Sequence, residues 1–269
     1  MKVHRRNGID FYCFENLAAF PALCHGITTR QGGGSQAPFD SLNMSLHVGD
    51  AADQVAVNRE AVWEGFPHPA EPVFLNQVHG NKVVVWDGKA PAVAPRLSGE
   101  ADAIVSDQHG WLLTILVADC QPVLLHDPVR SVIANIHSGW RGSIADIIGR
   151  TVTVMTTRFG CNPADIYAGV GPSLGPCCSE FVHYRKEIPE SLWSYRVSEN
   201  HFDFWAISQA QLVRAGLNPV HIEISRICTR CRRDLFFSYR AAHTTGRFAA
   251  IVGMAPKTRI TTDPGAERS

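Results

Sequence analysis

Short apolar runs with polar punctuation dominate the first half of the chain. Residues 73–75, 83–86, 103–106, 112–117, 123–127 and 132–136 are each bounded by Gly, Pro, Asp or Asn, which predicts strands. Later strands are predicted at 166–170, 220–224 and 248–252. Between them the apolar period lengthens. From Ser143 onward Ile144, Ile147, Ile148, Val152 and Met155 recur at helical spacing. A second helix is predicted from Asp203 as N-cap through Ile207 and Leu212 to a stop at Gly216. A third covers 53–63. Strands and helices do not alternate regularly, so the pattern predicts an α+β fold with clustered strands.

Residues 88–99 are rich in Pro, Ala and Gly and predict a surface loop. Chemistry-bearing segments lie on both sides of it, so residues 1–269 are read as one domain. The polar tail, 258–269, is expected to be disordered. At 269 residues and 45% hydrophobic content the chain can bury a sizeable core.

A formal net charge of zero excludes a general nucleic-acid or anionic-membrane surface. The longest apolar run, 111–118, is too short to span a bilayer, and no apolar stretch follows the basic N-terminus. A soluble, cytoplasmic protein is expected. The eight cysteines are irregularly spaced in a long chain, which favours reduced thiols over a disulfide framework.

Three segments end in soft metal ligands: His79 after 73–75, Cys120 after 112–117, and His137 after 132–136. If those strands lie side by side, their ends place all three side chains at one sheet edge. One thiolate and two imidazoles suit zinc or copper, and three protein ligands leave one position open. Packing of an ordinary buried His or Cys is the alternative. Asp119 beside Cys120 is a candidate proton carrier or outer partner. Cys228 and Cys231 form the only Cys-x-x-Cys. Cys177–Cys178 has the wrong spacing for the second pair of a zinc site, so these are read as ordinary thiols.

Anion-binding candidates are the glycine-rich loop 28–35 with Arg30, whose alternative is a flexible turn, and Gly139 to Ser143 with Arg141, whose alternative is a simple helix entry with Ser143 as cap and Trp140 packing. Residues 171–178 read as a tight turn followed by a helix start. Residues 237–240 and 245–247 add Arg240 and Arg247.

Taken together, 29–33, 41–43, 47–50 with 58–59, 76–80, 101–103, 118–123, 137–142, 171–180, 237–240 and 245–247 resemble the laccase-domain family. That family is also labelled multicopper polyphenol oxidases and purine nucleoside phosphorylases. The segments run in family order over nearly the whole chain. The resemblance implies zinc held by His79, Cys120 and His137, and a single α+β domain of mixed β-sheets flanked by helices. It implies phosphorolysis of adenosine, inosine or guanosine to base and ribose 1-phosphate. It further associates the family with 5′-methylthioadenosine phosphorolysis and adenosine deamination. Purine nucleosides and phosphate are the expected partners, with a monomer or homodimer left open. Arg30, Asn43, Arg141 and Arg240 are assigned to substrate or phosphate, and Cys120, Asp119 and Glu180 to catalysis. Two runs depart from the family pattern: Ser138 stands where alanine is usual, and Ala241-Ala242-His243 replaces Arg-Asp-Gly.

Three rivals stand beside this reading. A copper polyphenol oxidase uses the same ligand types, but none of the twelve histidines forms a His-x-His pair. A cysteine hydrolase would use Cys120 as nucleophile and His137 as base, acting for example on a cell-wall precursor. A metal-binding partner protein would turn nothing over.

Overall fold

The structure, a computed structural model, describes residues 1–67, 70–89 and 96–256. Thirteen strands are described: β1 (Lys2–Arg6), β2 (Ile9–Cys13), β3 (Leu23–Thr28), β4 (Glu71–Asn76), β5 (Val83–Val85), β6 (Arg96–Glu100), β7 (Ala103–Ser106), β8 (Trp111–Val117), β9 (Gln121–Asp127), β10 (Val132–Ser138), β11 (Tyr167–Val170), β12 (Ile222–Ile224) and β13 (Phe248–Met254). The helices are α1 (Glu15–Ala18), α2 (Ala52–Trp63), α3 (Trp140–Ile144), α4 (Ile147–Phe159), α5 (Tyr184–Glu187) and α6 (Phe204–Arg214).

Two mixed sheets result. One has the order β1-β2-β3-β13-β8-β4-β6 and the other β12-β11-β9-β10-β7-β5. They pack face to face. Leu113 and Ile115 of β8 and Phe248, Ala250 and Val252 of β13 share one core with Leu124, Ile133 and Ile104 of the other sheet. Each outer face has its own cover. Ala103, Val123, Leu125, Ala134 and Ile136 pack under α4 and α6. Leu112, Ala249 and Ile251 pack with Leu42, Met44 and Val62 of α2 and its approach. Strands buried on both faces read as continuous apolar runs, which is why β8, β9, β10 and β13 were visible in the sequence.

The period of two within those runs aims the site residues. On β10, Val132, Ala134 and Ile136 face the helices, while Ile133 faces the other sheet. Asn135 shares the face of Ile133, and its Nδ2 donates to the Leu113 and Ala250 carbonyls of the facing sheet at 2.8 Å. His137 is the next residue of that set, so alternation points it into the seam between the sheets.

Several expectations change. The single helix from Ser143 is two, because Asp146 sits in the left-handed region (φ 54°, ψ 48°) and its carboxylate caps α4 by accepting from Gly149 N–H. A Cβ on Gly149 would meet that carboxylate at 2.5 Å, so the turn needs a glycine. Ser143 lies inside α3, whose N-cap is Gly139. The helix expected right after 178 starts only at Tyr184. Residues 220–221 fall in a 3-10 turn capped by Asn218, which leaves β12 shorter than predicted. Residues 96–99, placed in the 88–99 loop by composition, belong to β6, which pairs with β4. The N-terminal strands β1 to β3 were not predicted. The expected tail, 258–269, lies outside the described residues. Among the described residues no helix is long and apolar enough to cross a membrane, and all eight cysteines are free thiols.

Candidate metal centre

Two connecting segments and the end of one strand meet where the sheets adjoin. β4 and β8 are parallel neighbours in the seven-stranded sheet. Past Asn76 the chain leaves β4, and the Gln77 side chain takes over the pairing. Its Nε2 donates to the Leu116 carbonyl and its Oε1 accepts from the Leu116 amide, both at 2.8 Å. His79 follows. β8 ends at Val117 and the chain crosses through Ala118-Asp119-Cys120 into β9 of the other sheet. His137 lies on β10 opposite Pro122 of β9. The ligands therefore come from both sheets and their crossover, and not from one sheet edge as the sequence suggested.

The ligand atoms of His79, Cys120 and His137 lie within 4.8 Å of one another. Burial is graded: His79 is exposed, Cys120 part-buried and His137 buried. Gly139 permits the approach, since a Cβ there would stand 3.1 Å from Cys120 Sγ and 3.2 Å from the His79 ring.

Asp102, fully buried just before β7, organises the group. Its Oδ1 accepts from the His79 amide at 2.9 Å and its Oδ2 from the Gly80 amide at 2.6 Å. His137 Nδ1 stands 2.8 Å from Oδ1. Nε2 is then the nitrogen His137 has left for a metal, the arrangement in which an outer carboxylate fixes tautomer and ring orientation. Asp102 was among the residues that carried the family resemblance, but its role was missed. The only local signal was an acid immediately before the apolar run 103–105; that it continues the β7–β10 register to face His137 is visible only in the structure.

Electrostatics follow from this packing. Burial raises the Asp102 pKa, but hydrogen bonds from His137 and the Gly80 and His79 amides outweigh it and hold the carboxyl below its ordinary value. Desolvation opposes ionisation of Cys120, yet the His137 and His79 imidazoles bring the thiol down to about 6. Desolvation also opposes charge on His137, but Cys120 and then Asp102 lift it to about 9. Cys120 is thus poised as a thiolate, the form that ligates a metal. One thiolate and two imidazoles, backed by a buried carboxylate, fit a single borderline-soft ion such as zinc.

Asp119 adopts φ 88°, a conformation L residues rarely take. Its contacts impose it. Oδ1 accepts from the Thr229 hydroxyl and Oδ2 from the Arg240 amide, both at 2.6 Å, and its carbonyl accepts from the Leu174 amide. The Arg240 guanidinium donates to the Glu180 carbonyl at 2.9 Å, and Glu180 Oε1 accepts from Asn200. Arg141 is exposed, with its guanidinium 4.3 Å from the Trp140 ring.

Arg30 and Asn43 are each held by protein partners. Arg30 pairs with Asp40 at 3.0 Å, donates to the Asp40 and Arg233 carbonyls, and lies over Phe237. Asn43 is fully buried, bonded to Ser45, Asp50 and the Arg247 amide. The amides of Gly33 and Gly34 donate to Ser41 Oγ and Asn58 Oδ1, so the glycine loop spends them inside the protein. A cation absent from the sequence assignment, Arg247, is half-buried. Desolvation pulls its pKa down, and Cys120 and Asp119 are the anions that oppose the shift.

The comparisons agree with this architecture. The family described as multi-copper polyphenol oxidoreductase laccase matches residues 24–255. Purine nucleoside phosphorylase YlmD of Geobacillus stearothermophilus is 37% identical over 250 residues, spanning 87% of this chain and 91% of the relative. Purine nucleoside phosphorylase YfiH of Escherichia coli is 35% identical over 233 residues, spanning 84% and 91%. The crystal structure of YlmD from G. stearothermophilus superposes with a TM-score of 0.82 at 32% identity, covering 95% of this chain and 98% of that one. Matching fold, length and sequence place this chain in the laccase-like polyphenol oxidoreductase family, the one that includes YlmD and YfiH.

Proposed function

We propose that the protein is a purine nucleoside phosphorylase whose centre holds zinc on His79, Cys120 and His137. The observation that carries the reading is the three-donor set with Asp102 behind it, joined to similarity over most of the chain to relatives named purine nucleoside phosphorylase. Zinc bound there would supply a Lewis acid with one open position.

The chain's own residues do the rest. Asp102 keeps the His137 proton on Nδ1 and anchors the 79–80 backbone. Arg247, whose charge interacts with those of Cys120 and Asp119, and exposed Arg141 supply positive charge for phosphate. Arg30 and Asn43 hold the 28–43 loop in shape. Phosphorolysis builds positive charge on the ribosyl carbon and negative charge on the departing purine, so fixed donors near both matter most. Asp119, whose two oxygens each accept a protein hydrogen bond, positions Arg240. Glu180 is the group assigned to proton transfer at the purine. The three donors of this centre support one ion there, against the clustered coppers of a multicopper oxidase. Reduced thiols accord with a cytoplasmic setting.

The test is incubation of zinc-loaded protein with adenosine or inosine, with and without phosphate. Phosphate-dependent release of base and ribose 1-phosphate, lost in His79→Ala, supports the proposal. Inosine formed from adenosine without phosphate would assign deamination instead. No turnover of any nucleoside sinks it. One observation favours a second reading. The Cys120–His137 pair with Asp102 behind it is also the ion pair of a cysteine hydrolase. That reading requires activity in chelator-treated protein that alkylation of Cys120 abolishes.

A further inference from the structure

The second group of potential ligands lies outside the centre just described. Cys177 and Cys178 sit in the turn after β11, and Cys228 and Cys231 in the loop after β12. The sequence offered no partner for the Cys228-Thr229-Arg230-Cys231 motif, because adjacent cysteines are not a spaced pair. The fold removes that objection. Residues 176–178 form a turn, and both of its thiols reach the same point as the other two. All four Sγ atoms lie within 4.8 Å of one another.

The spacing is informative. Cys231 Sγ is 3.6 Å from both Cys177 Sγ and Cys178 Sγ. A disulfide holds its sulfurs at about 2.05 Å. Four sulfurs placed tetrahedrally at about 2.3 Å from a zinc ion are about 3.8 Å apart. The observed separations are close to that edge and far from a disulfide. Coordination is also complete: four thiols and no carboxylate or imidazole make a closed soft-donor set, the chemistry of a structural zinc site. Burial is mixed. Cys178 and Cys228 are buried, while Cys177 and Cys231 are exposed and leave a path for an ion.

The surroundings are built to hold these loops together. Ser173 and Cys228 form a parallel bridge. Trp205 donates from Nε1 to Ser173 Oγ at 2.7 Å and packs with Cys178 and Cys228. The Gly175 amide donates to Cys228 Sγ at 3.3 Å, a bond that favours a charged sulfur. A Cβ on Gly175 would meet the Trp205 ring at 2.7 Å, so the close approach of loop and indole needs this glycine.

We propose that Cys177, Cys178, Cys228 and Cys231 bind a structural zinc ion as a closed tetrathiolate, separate from the His79–Cys120–His137 centre. The ion staples the loop after β11 to the loop after β12. Those loops grip Asp119 through the Leu174 amide and the Thr229 hydroxyl. Asp119 precedes Cys120, so the staple fixes the crossover that presents the catalytic thiolate.

The test is metal content by elemental mass spectrometry after expression with zinc and purification without chelator. About two zinc ions per chain are expected, with about one in Cys177→Ser/Cys231→Ser and about one in His79→Ala. About one in the parent protein, unchanged in the cysteine double variant, overturns the proposal. X-ray absorption on the parent protein keeps the test independent of the variants' folding. Filled centres of four and one sulfurs average about 2.5 sulfurs per zinc at about 2.3 Å, whereas the histidine centre alone gives about one. A disulfide among these four residues in freshly isolated protein, or iron in place of zinc, also overturns it.

Discussion

The two sulfur-containing clusters differ in almost every physical respect. The His79–Cys120–His137 group has three donors of two kinds, one of them exposed, with a buried carboxylate behind. The Cys177–Cys178–Cys228–Cys231 group has four identical donors and no carboxylate or imidazole among them. A three-donor set leaves a coordination position for chemistry, and a four-thiol set leaves none. The first sits at the seam of two sheets, where rigid strand ends hold it. The second joins two loops that have no strand pairing beyond single bridges. On the two proposals above, the fold separates reaction from reinforcement, and Asp119 is bonded to both loops of the second cluster while preceding Cys120 of the first.

The sharpest way to break this comparison is Cys120→Ala. It should remove the metal of the first cluster and lower nucleoside turnover by more than about 100-fold, beyond the range for loss of an outer partner. Metal analysis and turnover on the same sample check it, and the second cluster should keep its metal.

Next comes Cys177→Ser/Cys231→Ser. Loss of a structural metal belongs among the large destabilising effects, about 4 kcal/mol, read by chemical denaturation. The expected signature is opposite to that of Cys120→Ala: stability falls first, and turnover per folded molecule falls less.

Acid strips metals from thiolates, so a pH comparison needs a control for the fold itself. His25, buried on β3, accepts from the Phe14 amide through Nε2 at 2.9 Å. Desolvation by burial, aided by Arg6, pulls it down to about 4 from 6.5. The unfolded chain therefore takes up this proton first. Stability from His25 is full above pH 6.5 and is lost as pH falls toward 4, by about 3 kcal/mol. Denaturation curves of metal-free protein across that window should show the loss, and His25→Gln should reduce it.

The smallest expected effect is Asp102→Asn. It preserves the shape but weakens the hold on His137, and zinc affinity of the first cluster should fall about 10- to 100-fold. Competition with a coloured chelator measures it. An unchanged affinity would remove Asp102 from the site.

Legibility in the sequence followed the range of the interactions. β8, β9, β10 and β13 were visible because burial on both faces makes them mostly apolar, with only isolated polar residues such as Thr114 and Asn135. β1 and β6 were not, since edge strands carry polar residues and look like loops. The α3–α4 break was missed because the apolar spacing runs through Asp146, whose left-handed backbone depends on its own cap to Gly149. Arg30 and Arg247 show the same limit in the site. Both stand in short segments with glycine, and nothing local says which is neutralised. Asp40 claims one, and the neighbourhood of Cys120 receives the other.

By itself the sequence determined the donor types, the strand-like runs that lead to His79, Cys120 and His137, the α+β class and the family. These are properties of residues and of local periods, readable without knowing what touches what. Tertiary structure alone decided that His79 and His137 reach one point from different sheets, that Asp102 fastens both, and that two cysteine pairs converge, Cys177 meeting Cys231 from 54 residues away. Such meetings depend on sheet order, strand register and the packing of one sheet on the other, none of which leaves a mark on the local chemistry of the residues that meet.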